Sequence, residues 1–232
     1  VGGRMLSFVG ESAIALLRVV AQPRRLRWRH ILYNLQVAGF EALPITGLLS
    51  FLMGIVIAYQ GAEQLQRFGA NIYVVDLVGL SMVRELSPML TAIIVAGRSG
   101  SAYTAQIGTM KVTEEVDALR TIGVGPLELL VLPKMLALLI ALPLLTIVAD
   151  VVGLFGGMVM AINEVGQSRA YFVSHVLLAL KVQDITSGIG KSFFFAFFVG
   201  IIACYNGLNA EGGADGVGKA TTNTVVTASI AI

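Results

Sequence analysis

The fold of this chain is decided by the stretch MLALLIALPLLTIVADVVGLFGGMVMAI, residues 135–162. One of its 28 residues, Asp150, is charged. A helix rises about 1.5 Å per residue, so the stretch is longer than the roughly 30 Å needed to cross the hydrocarbon core of a bilayer. Backbone polar groups inside a bilayer are satisfied only in helices or closed barrels. The stretch therefore predicts a transmembrane helix.

The composition of the 232 residues places the rest of the chain in the same environment. Hydrophobic residues make up 56% and charged residues 13%, whereas soluble domains carry about 25% charged residues. The net charge of +2 is too small to suggest a nucleic-acid partner. We therefore predict an all-α membrane protein that forms a single domain over residues 1–232.

Further apolar runs predict the other membrane spans. A first span is predicted at 42–62, a second within 72–108 and a fourth at 192–210, with residues 135–162 as the third. A fifth apolar run begins near residue 220 and ends with the sequence after 13 residues. We therefore expect about five transmembrane helices, the last of them truncated, and a kink in the second span where charges and Pro88 interrupt it.

The positions of lysine and arginine predict the orientation. With a cytoplasmic N-terminus the inside segments carry ten of these residues and the outside segments three. The inside residues are Arg4, Arg18, Arg24, Arg25, Arg27, Arg29, Lys111, Arg120, Lys134 and Lys219, and the outside residues are Arg67, Arg169 and Lys181. Positive charge is enriched on the cytoplasmic side of membrane proteins, so this asymmetry predicts an N-terminus inside the cell.

Residues 1–33 predict an amphipathic helix that lies in the membrane interface. Glu11 interrupts the first apolar stretch, and the basic run RRLRWRH follows at residues 24–30, which is not the pattern of a signal peptide. Trp28 and the arginines suit the anionic headgroup region of a bilayer.

A short polar stretch, residues 113–122, separates the second and third spans and predicts a helix of its own. Thr113 is a suitable N-cap, the acidic residues that follow favour the first turn, and Gly123 is a suitable stop. The apolar residues recur every third position, at Val116, Leu119 and Ile122. The helix is either a connector lying on the membrane or a coupling helix that contacts a cytoplasmic partner.

Small residues in the second span form two adjacent strips, which predict close helix packing. The strips consist of Gly97, Ser101 and Ala105 and of Gly100, Thr104 and Gly108.

Several signals for catalysis or redox chemistry are weak. Cys204 is the single cysteine and lies in an apolar run, so it predicts a buried hydrophobic side chain. His30 and His175 lack neighbouring metal ligands. The run GADGVGKA, residues 213–220, approaches a phosphate-binding loop, but its last position is Ala220 and lacks the hydroxyl that binds magnesium. We predict a flexible glycine-rich turn there, and no enzymatic activity and no cofactor in this chain.

Three elements together carry a specific family resemblance. They are RELSP at residues 84–88, AGRSGSAYTAQIG at 96–108 and GVGKATT at 216–222. Through them the chain resembles the MlaE-type permeases, the membrane subunits of ABC transporters that work with MCE proteins in lipid trafficking. The resemblance covers nearly the whole sequence.

This resemblance implies a homodimeric permease of the bacterial inner membrane that moves phospholipids between that membrane and a periplasmic MCE-domain protein, maintaining outer-membrane lipid asymmetry. It implies a separate cytoplasmic ATPase that binds ATP and magnesium. It also places residues 113–122 at the coupling-helix position, with the candidate ATPase-coupling residues Glu114, Glu115, Asp117, Leu119 and Arg120.

Charges inside predicted spans mark the candidate substrate cavity. A charged side chain at the bilayer centre costs roughly 2.5 to 3.5 kcal/mol on insertion scales. Arg84, Glu85 and Lys191 therefore form either a polar patch for a phospholipid headgroup or anchors at the membrane interface. Val56 and Tyr59 are candidate wall residues of the same cavity, and Asp150 is a weaker candidate for the patch.

Two other functions remain possible from the residues. A self-contained secondary transporter or channel would use the intramembrane charges to carry ions, but the sequence shows no internal repeat. A structural membrane scaffold would not require Arg84 and Glu85 in a span.

Overall fold

The structure is a computed structural model that describes residues 7–15, 28–123 and 125–232. Apart from turns and short connections these residues are helical, and none of them forms a strand. Four of the helices are long and apolar enough to cross a membrane. The prediction of an all-α membrane protein is confirmed.

Nine helices follow one another in the described residues. They are α1 (7–15), α2 (Trp28–Ala38), α3 (Leu43–Gln66), α4 (Val74–Val112), α5 (Glu115–Thr121), α6 (Leu127–Val165), α7 (Arg169–Ala179), α8 (Val182–Leu208) and α9 (Gly213–Ala231). Short 3-10 turns, Phe40–Ala42 and Asn71–Tyr73, precede α3 and α4. Of the predicted N-terminal helix, α1 and the start of α2 are seen, whereas Arg4, Arg18, Arg24, Arg25 and Arg27 lie outside the described residues.

The four membrane-capable helices correspond to the first four predicted spans, and the first of them joins α2, the 3-10 turn and α3. They run over Arg29–Gln66, Val74–Val112, Leu127–Val165 and Val182–Leu208. Each extends beyond the predicted apolar run at one end or both, because polar residues at the end of a helix do not by themselves break it. The second helix begins two residues after the predicted region, and the fourth ends two residues before the end of the predicted run.

The fifth predicted span lies in α9, which begins before residue 220, and its role as a span stays a prediction. The predicted flexible turn at residues 213–220 is wrong, since these residues form the first turns of that helix. The break in the chain falls earlier, at Gly212 and Gly213, whose φ angles are +88° and +72°. Such left-handed values favour glycine.

Two π turns interrupt the long helices just before prolines. The turn Met82–Leu86 precedes Pro88 in α4, and the turn Leu127–Val131 precedes Pro133 in α6. Proline has no backbone N–H and its ring collides with the preceding turn, so the wider turn relieves the clash. A third π turn, Ala96–Gly100, contains two glycines instead. The irregularity expected in the second span therefore takes the form of two π turns.

The structure divides into two compact units. Of the described residues, those within 1–41, 92–141 and 194–232 form the first unit, and those within 42–91 and 142–193 form the second. The core of the first unit includes Ile107, Val131, Met135, Ile201 and Cys204. Cys204 is buried, as predicted.

The second unit has a core of small and branched residues. Ala58 and Ala62 of α3 pack with Val74, Val78 and Met82 of α4. The backbones of α3 and α6 approach each other so closely that a Cβ atom at Gly54 would lie 1.9 Å from the carbonyl oxygen of Gly153. Such contact between helices requires small residues.

Candidate functional site

Four charged side chains form an ion-pair network in the second unit. The Lys191 ammonium lies 2.6 Å from the Glu85 carboxylate, and the Arg84 guanidinium lies 3.6 Å from the Asp184 carboxylate. Arg84 also lies 3.8 Å from Glu85. The structure thus brings together the three charges predicted for the substrate cavity and adds Asp184, which the sequence analysis missed.

Pro88 explains how Lys191 is held in this network. The carbonyl of Arg84 is the group that an N–H at position 88 would bond in an α-helix, and Pro88 has no such hydrogen. The Lys191 Nζ donates to that carbonyl oxygen at 3.1 Å as well as to Glu85. One lysine therefore satisfies both a carboxylate and a carbonyl that the proline leaves free.

Gly188 lets α8 approach the same part of α4. A Cβ atom at Gly188 would lie 2.3 Å from the carbonyl oxygen of Val83, which is closer than any side chain can be. Gly188 precedes Lys191 by about one helical turn, and Asp184 precedes Gly188 by another. The spacing of Asp184, Gly188 and Lys191 on one face of α8 is the signal that could have revealed Asp184.

The network is exposed at the surface of the protein, which is a requirement for binding a ligand. The Glu85 side chain is 61% exposed, and those of Arg84 and Lys191 are partly exposed. The candidate wall residues Val56 and Tyr59 lie on α3 in the same unit and are also exposed. Among the described residues no hydrogen bond or ion pair joins either of them to the four charges.

Asp150, the weaker candidate, lies beside Ser87 in the second unit. Its side chain faces that of Ser87. The Asp150 Oδ1 atom has no hydrogen-bond partner among the described residues, and neither do the hydroxyls of Thr46, Ser50, Ser87 and Thr91. Asp150 is therefore separate from the ion-pair network in its contacts.

The short helix predicted between the second and third spans is α5, in the first unit. Its N-cap is Glu114, at φ +62°, and the predicted cap at Thr113 is wrong. Thr113 ends α4, where its hydroxyl donates to the carbonyl of Thr109 at 3.0 Å. The left-handed residue, not the hydroxyl, decides where α4 stops. Gly123 follows α5 at φ +80°, as a helix stop requires.

Asp117 is the centre of the charges on α5. Lys111 donates to it at 2.8 Å from the end of α4, and Arg120 lies 3.3 Å away. The hydrogen bond from Lys111, with the nearby positive charges of Lys111 and Arg120, holds the pKa of the Asp117 carboxyl below its ordinary value. The pair with Lys111 ties α5 to the end of α4, and the pair with Arg120 lies within α5.

The apolar face of α5 is divided between core and surface. Val116 is fully buried and Leu119 is partly buried, whereas Ile122 is 72% exposed. The acidic residues at its start, Glu114 and Glu115, are exposed. The exposed side of α5 therefore carries both charge and one large apolar side chain, a combination that suits contact with another protein.

The family profile described as Permease MlaE matches residues 31–232. The chain belongs to the MlaE permease family. A probable ABC transporter permease protein of Rickettsia typhi is 38% identical over 95% of this chain and 85% of the relative. A probable ABC transporter permease protein of Synechocystis is 36% identical over 90% and 79%. The chloroplastic protein TRIGALACTOSYLDIACYLGLYCEROL 1 of Arabidopsis thaliana is 35% identical over 90% and 59%.

This MlaE-family chain is thus an ABC transporter permease and a multi-pass membrane protein. A permease of this class works with a partner ATPase, so the self-contained secondary transporter is disfavoured.

The small residues predicted for helix packing behave differently along α4 of the MlaE-family permease. A Cβ atom at Gly100 would lie 3.3 Å from Val199, and one at Gly108 would lie 3.2 Å from Ala210. Gly97 has no atom within 4 Å of such a Cβ. Ser101 and Ala105 are partly buried. Gly100 and Gly108 therefore pack within the first unit, and a packing role for Gly97 stays a prediction.

Proposed function

We propose that this permease moves phospholipids between the bacterial inner membrane and a periplasmic MCE-domain protein, as a homodimer, and so maintains outer-membrane lipid asymmetry. The main observation in favour of a lipid substrate is the network of Arg84, Glu85, Asp184 and Lys191 on membrane-capable helices. A relative named for trigalactosyldiacylglycerol, a lipid, supports the same class of substrate.

The main physical task of such a permease is to shield acyl chains from water. Exposure costs about 0.8 kcal/mol per methylene, so two chains of about fifteen methylenes each would cost about 24 kcal/mol. Exposed apolar residues of α3, with Val56 and Tyr59 among them, would line the route.

The charged network would bind the headgroup. Its two cations suit a phosphate, and its two carboxylates suit an ammonium group, so the network matches a headgroup that carries both charges. In the absence of lipid the four side chains neutralise one another, which reduces the cost of keeping them inside a span.

ATP hydrolysis would act on this site from the cytoplasm through α5. In this proposal the N-terminus is cytoplasmic, the partner ATPase holds ATP and magnesium, and the exposed side of α5 is the ATPase-coupling surface. Nucleotide binding would then shift the permease between two states with different access to lipid.

The proposal is tested with Glu85→Ala and Lys191→Ala in the complete complex, with Arg169→Ala as the matched control. Arg169 is exposed in the same unit at the start of α7. Native mass spectrometry should show less bound phospholipid for both test variants, and outer-membrane permeability should rise at matched expression. Wild-type lipid occupancy and permeability in both variants would overturn the headgroup role.

A further inference from the structure

A second cluster of charge in the first unit contains cations only. It surrounds a cavity of about 640 Å³ between α2, α4 and α6. Arg29, His30 and Lys134 contribute to its wall, and Met110, Leu129 and Leu130 are among its apolar residues. Among the described residues none of those that line the cavity is acidic.

Lys134 is the unusual member of this cluster because it is buried. The residue is 5% exposed. Its ammonium donates to the Gln106 side-chain oxygen and lies 4.6 Å from the centre of the Tyr103 ring. Both contacts are to uncharged groups, and no carboxylate lies within 4.0 Å of the ammonium among the described residues.

An ammonium group carries three donors and one full charge. Burying it without a counter-charge is costly, and an aromatic ring offsets the cost only in part. The cavity beside Lys134 is open to an anion, and Arg29 and His30 supply further positive or protonatable groups at the same wall. The missing counter-charge is therefore expected to come from a ligand.

We propose that this cavity binds the phosphate of an anionic phospholipid. Its walls carry apolar side chains besides the cations, and Tyr33 of α2, which lines the cavity, is 63% exposed. This combination suits an amphiphile better than free phosphate. No described residue of the wall carries a carboxylate, in contrast to the network around Glu85, and this favours an anionic headgroup over one that also bears an ammonium.

The pocket shares no residue with the network of Arg84, Glu85, Asp184 and Lys191. Its occupancy does not depend on transport, on an ATPase or on an MCE partner. A lipid bound there would tie α2 to α4 and α6, the three helices that form its walls.

The test compares the wild-type permease with variants of Lys134. Each is prepared full-length, with its co-purifying subunits, in nanodiscs of phosphatidylcholine that contain a minor fraction of phosphatidylglycerol. After extraction, retained lipid is identified by native mass spectrometry. The wild type should retain phosphatidylglycerol preferentially. Lys134→Gln, which keeps a polar side chain but removes the charge, should lower that retention about tenfold, since it loses a charge-assisted contact. Lys134→Arg should recover most of it.

Two further variants complete the set. The first tests the exposed basic residues of the cavity wall, and the second controls for a general effect of removing positive charge. Arg29→Gln combined with His30→Gln alters exposed residues and should lower retention about threefold, as for a partly exposed charge contact. Lys219→Gln removes an exposed cation of α9 and should match the wild type.

Three results would overturn the assignment. The first is equal phosphatidylglycerol retention by the wild type, by Lys134→Gln and by the combined Arg29 and His30 variant. The second is equal retention of phosphatidylglycerol and phosphatidylcholine by the wild type. The third is displacement of the bound lipid by millimolar inorganic phosphate. The last would reassign the pocket to a free anion. Glu85→Ala in the same assay should leave phosphatidylglycerol retention unchanged. The experiment therefore tests the cavity independently of the proposed transport site.

Discussion

At the scale of single residues, the most informative side chains are those that make two hydrogen bonds or ion pairs at once. Lys191 bonds the carbonyl that Pro88 leaves free, and it neutralises Glu85 with the same ammonium. Asp117 has a comparable role outside the membrane, because it joins Lys111 at the end of α4 to Arg120 on α5. In both places a single substitution removes two contacts.

We expect Lys111→Met to raise the pKa of Asp117 toward its ordinary value, because the hydrogen bond from Lys111 is the main cause of its lowering. A carboxyl whose pKa is lower in the folded state stabilises that state above its unfolded pKa, and the stabilisation is lost as the pH falls through the folded pKa. Carbon-13 NMR of the aspartate carboxyls in nanodiscs measures the shift. Lys219→Met serves as the control, and an unchanged Asp117 titration in Lys111→Met would contradict the assigned cause.

At the scale of secondary-structure elements, the positions of glycine and proline set how the helices meet. Prolines follow two of the π turns, and glycines of the second unit allow direct backbone contact between α3 and α6 and between α4 and α8. The contact at Gly188 determines how close α8 lies to the π turn of α4, and therefore whether Lys191 reaches Glu85.

Gly188→Ala should destabilise the permease by about 1–3 kcal/mol, because the new methyl group would collide with the Val83 carbonyl. It should also reduce bound lipid if the network forms the headgroup site. Gly190→Ala is the matched control on the same helix, since a Cβ atom there has no atom within 4 Å. That change should be neutral or stabilise the helix by up to about 1 kcal/mol. Thermal unfolding in detergent compares the two, and equal melting temperatures would contradict the close approach.

The exposed side of α5 leads to a prediction about the ATPase. Charge reversal by Asp117→Lys or Arg120→Glu should weaken recovery of the ATPase in pull-downs without reducing the amount of permease in the membrane. Both residues lie outside the membrane-capable helices and are at least partly exposed. Glu211→Lys, an exposed change outside α5, is the control. Normal ATPase recovery with both test variants would mean that α5 is not the coupling surface.

At the scale of the whole molecule, family membership establishes an ABC transporter permease, and the proposed lipid substrate rests on the charge composition of two sites. One site carries charges of both signs and the other carries cations only. If both proposals hold, the two sites favour different headgroups, and the permease would select one lipid for transport and retain another.

Gentle purification of the tagged full-length protein should recover two copies of the permease with an ATPase and an MCE-domain protein. The expectation follows from the family and from the proposed function. Native mass spectrometry of the intact assembly gives the copy number, and identification of the co-purified chains gives the partners. Transport of lipid by the purified permease alone in liposomes would contradict the proposal.

The sequence by itself determined the membrane environment and located the four long apolar helices, because bilayer thickness requires apolar runs of a fixed minimum length. The fifth span that it predicted stays a prediction. It also identified Arg84, Glu85 and Lys191, since charge in a membrane span is costly wherever the span packs. The sequence placed the cap of α5 one residue early, because Thr113 has suitable chemistry but the left-handed turn at Glu114 depends on how the chain leaves α4.

Only the tertiary structure decided which distant residues meet. Asp184 lies 100 positions after Arg84, and Lys134 is 28 positions from Gln106. Neither pairing follows from periodicity, because periodicity describes one helix and these contacts join two. The cation-lined cavity has the same origin. Arg29, Gln106 and Lys134 lie on separate helices, and only the packing of α2, α4 and α6 brings them to one cavity wall. In the part of the chain that the structure describes, this packing leaves the buried Lys134 without a counter-charge.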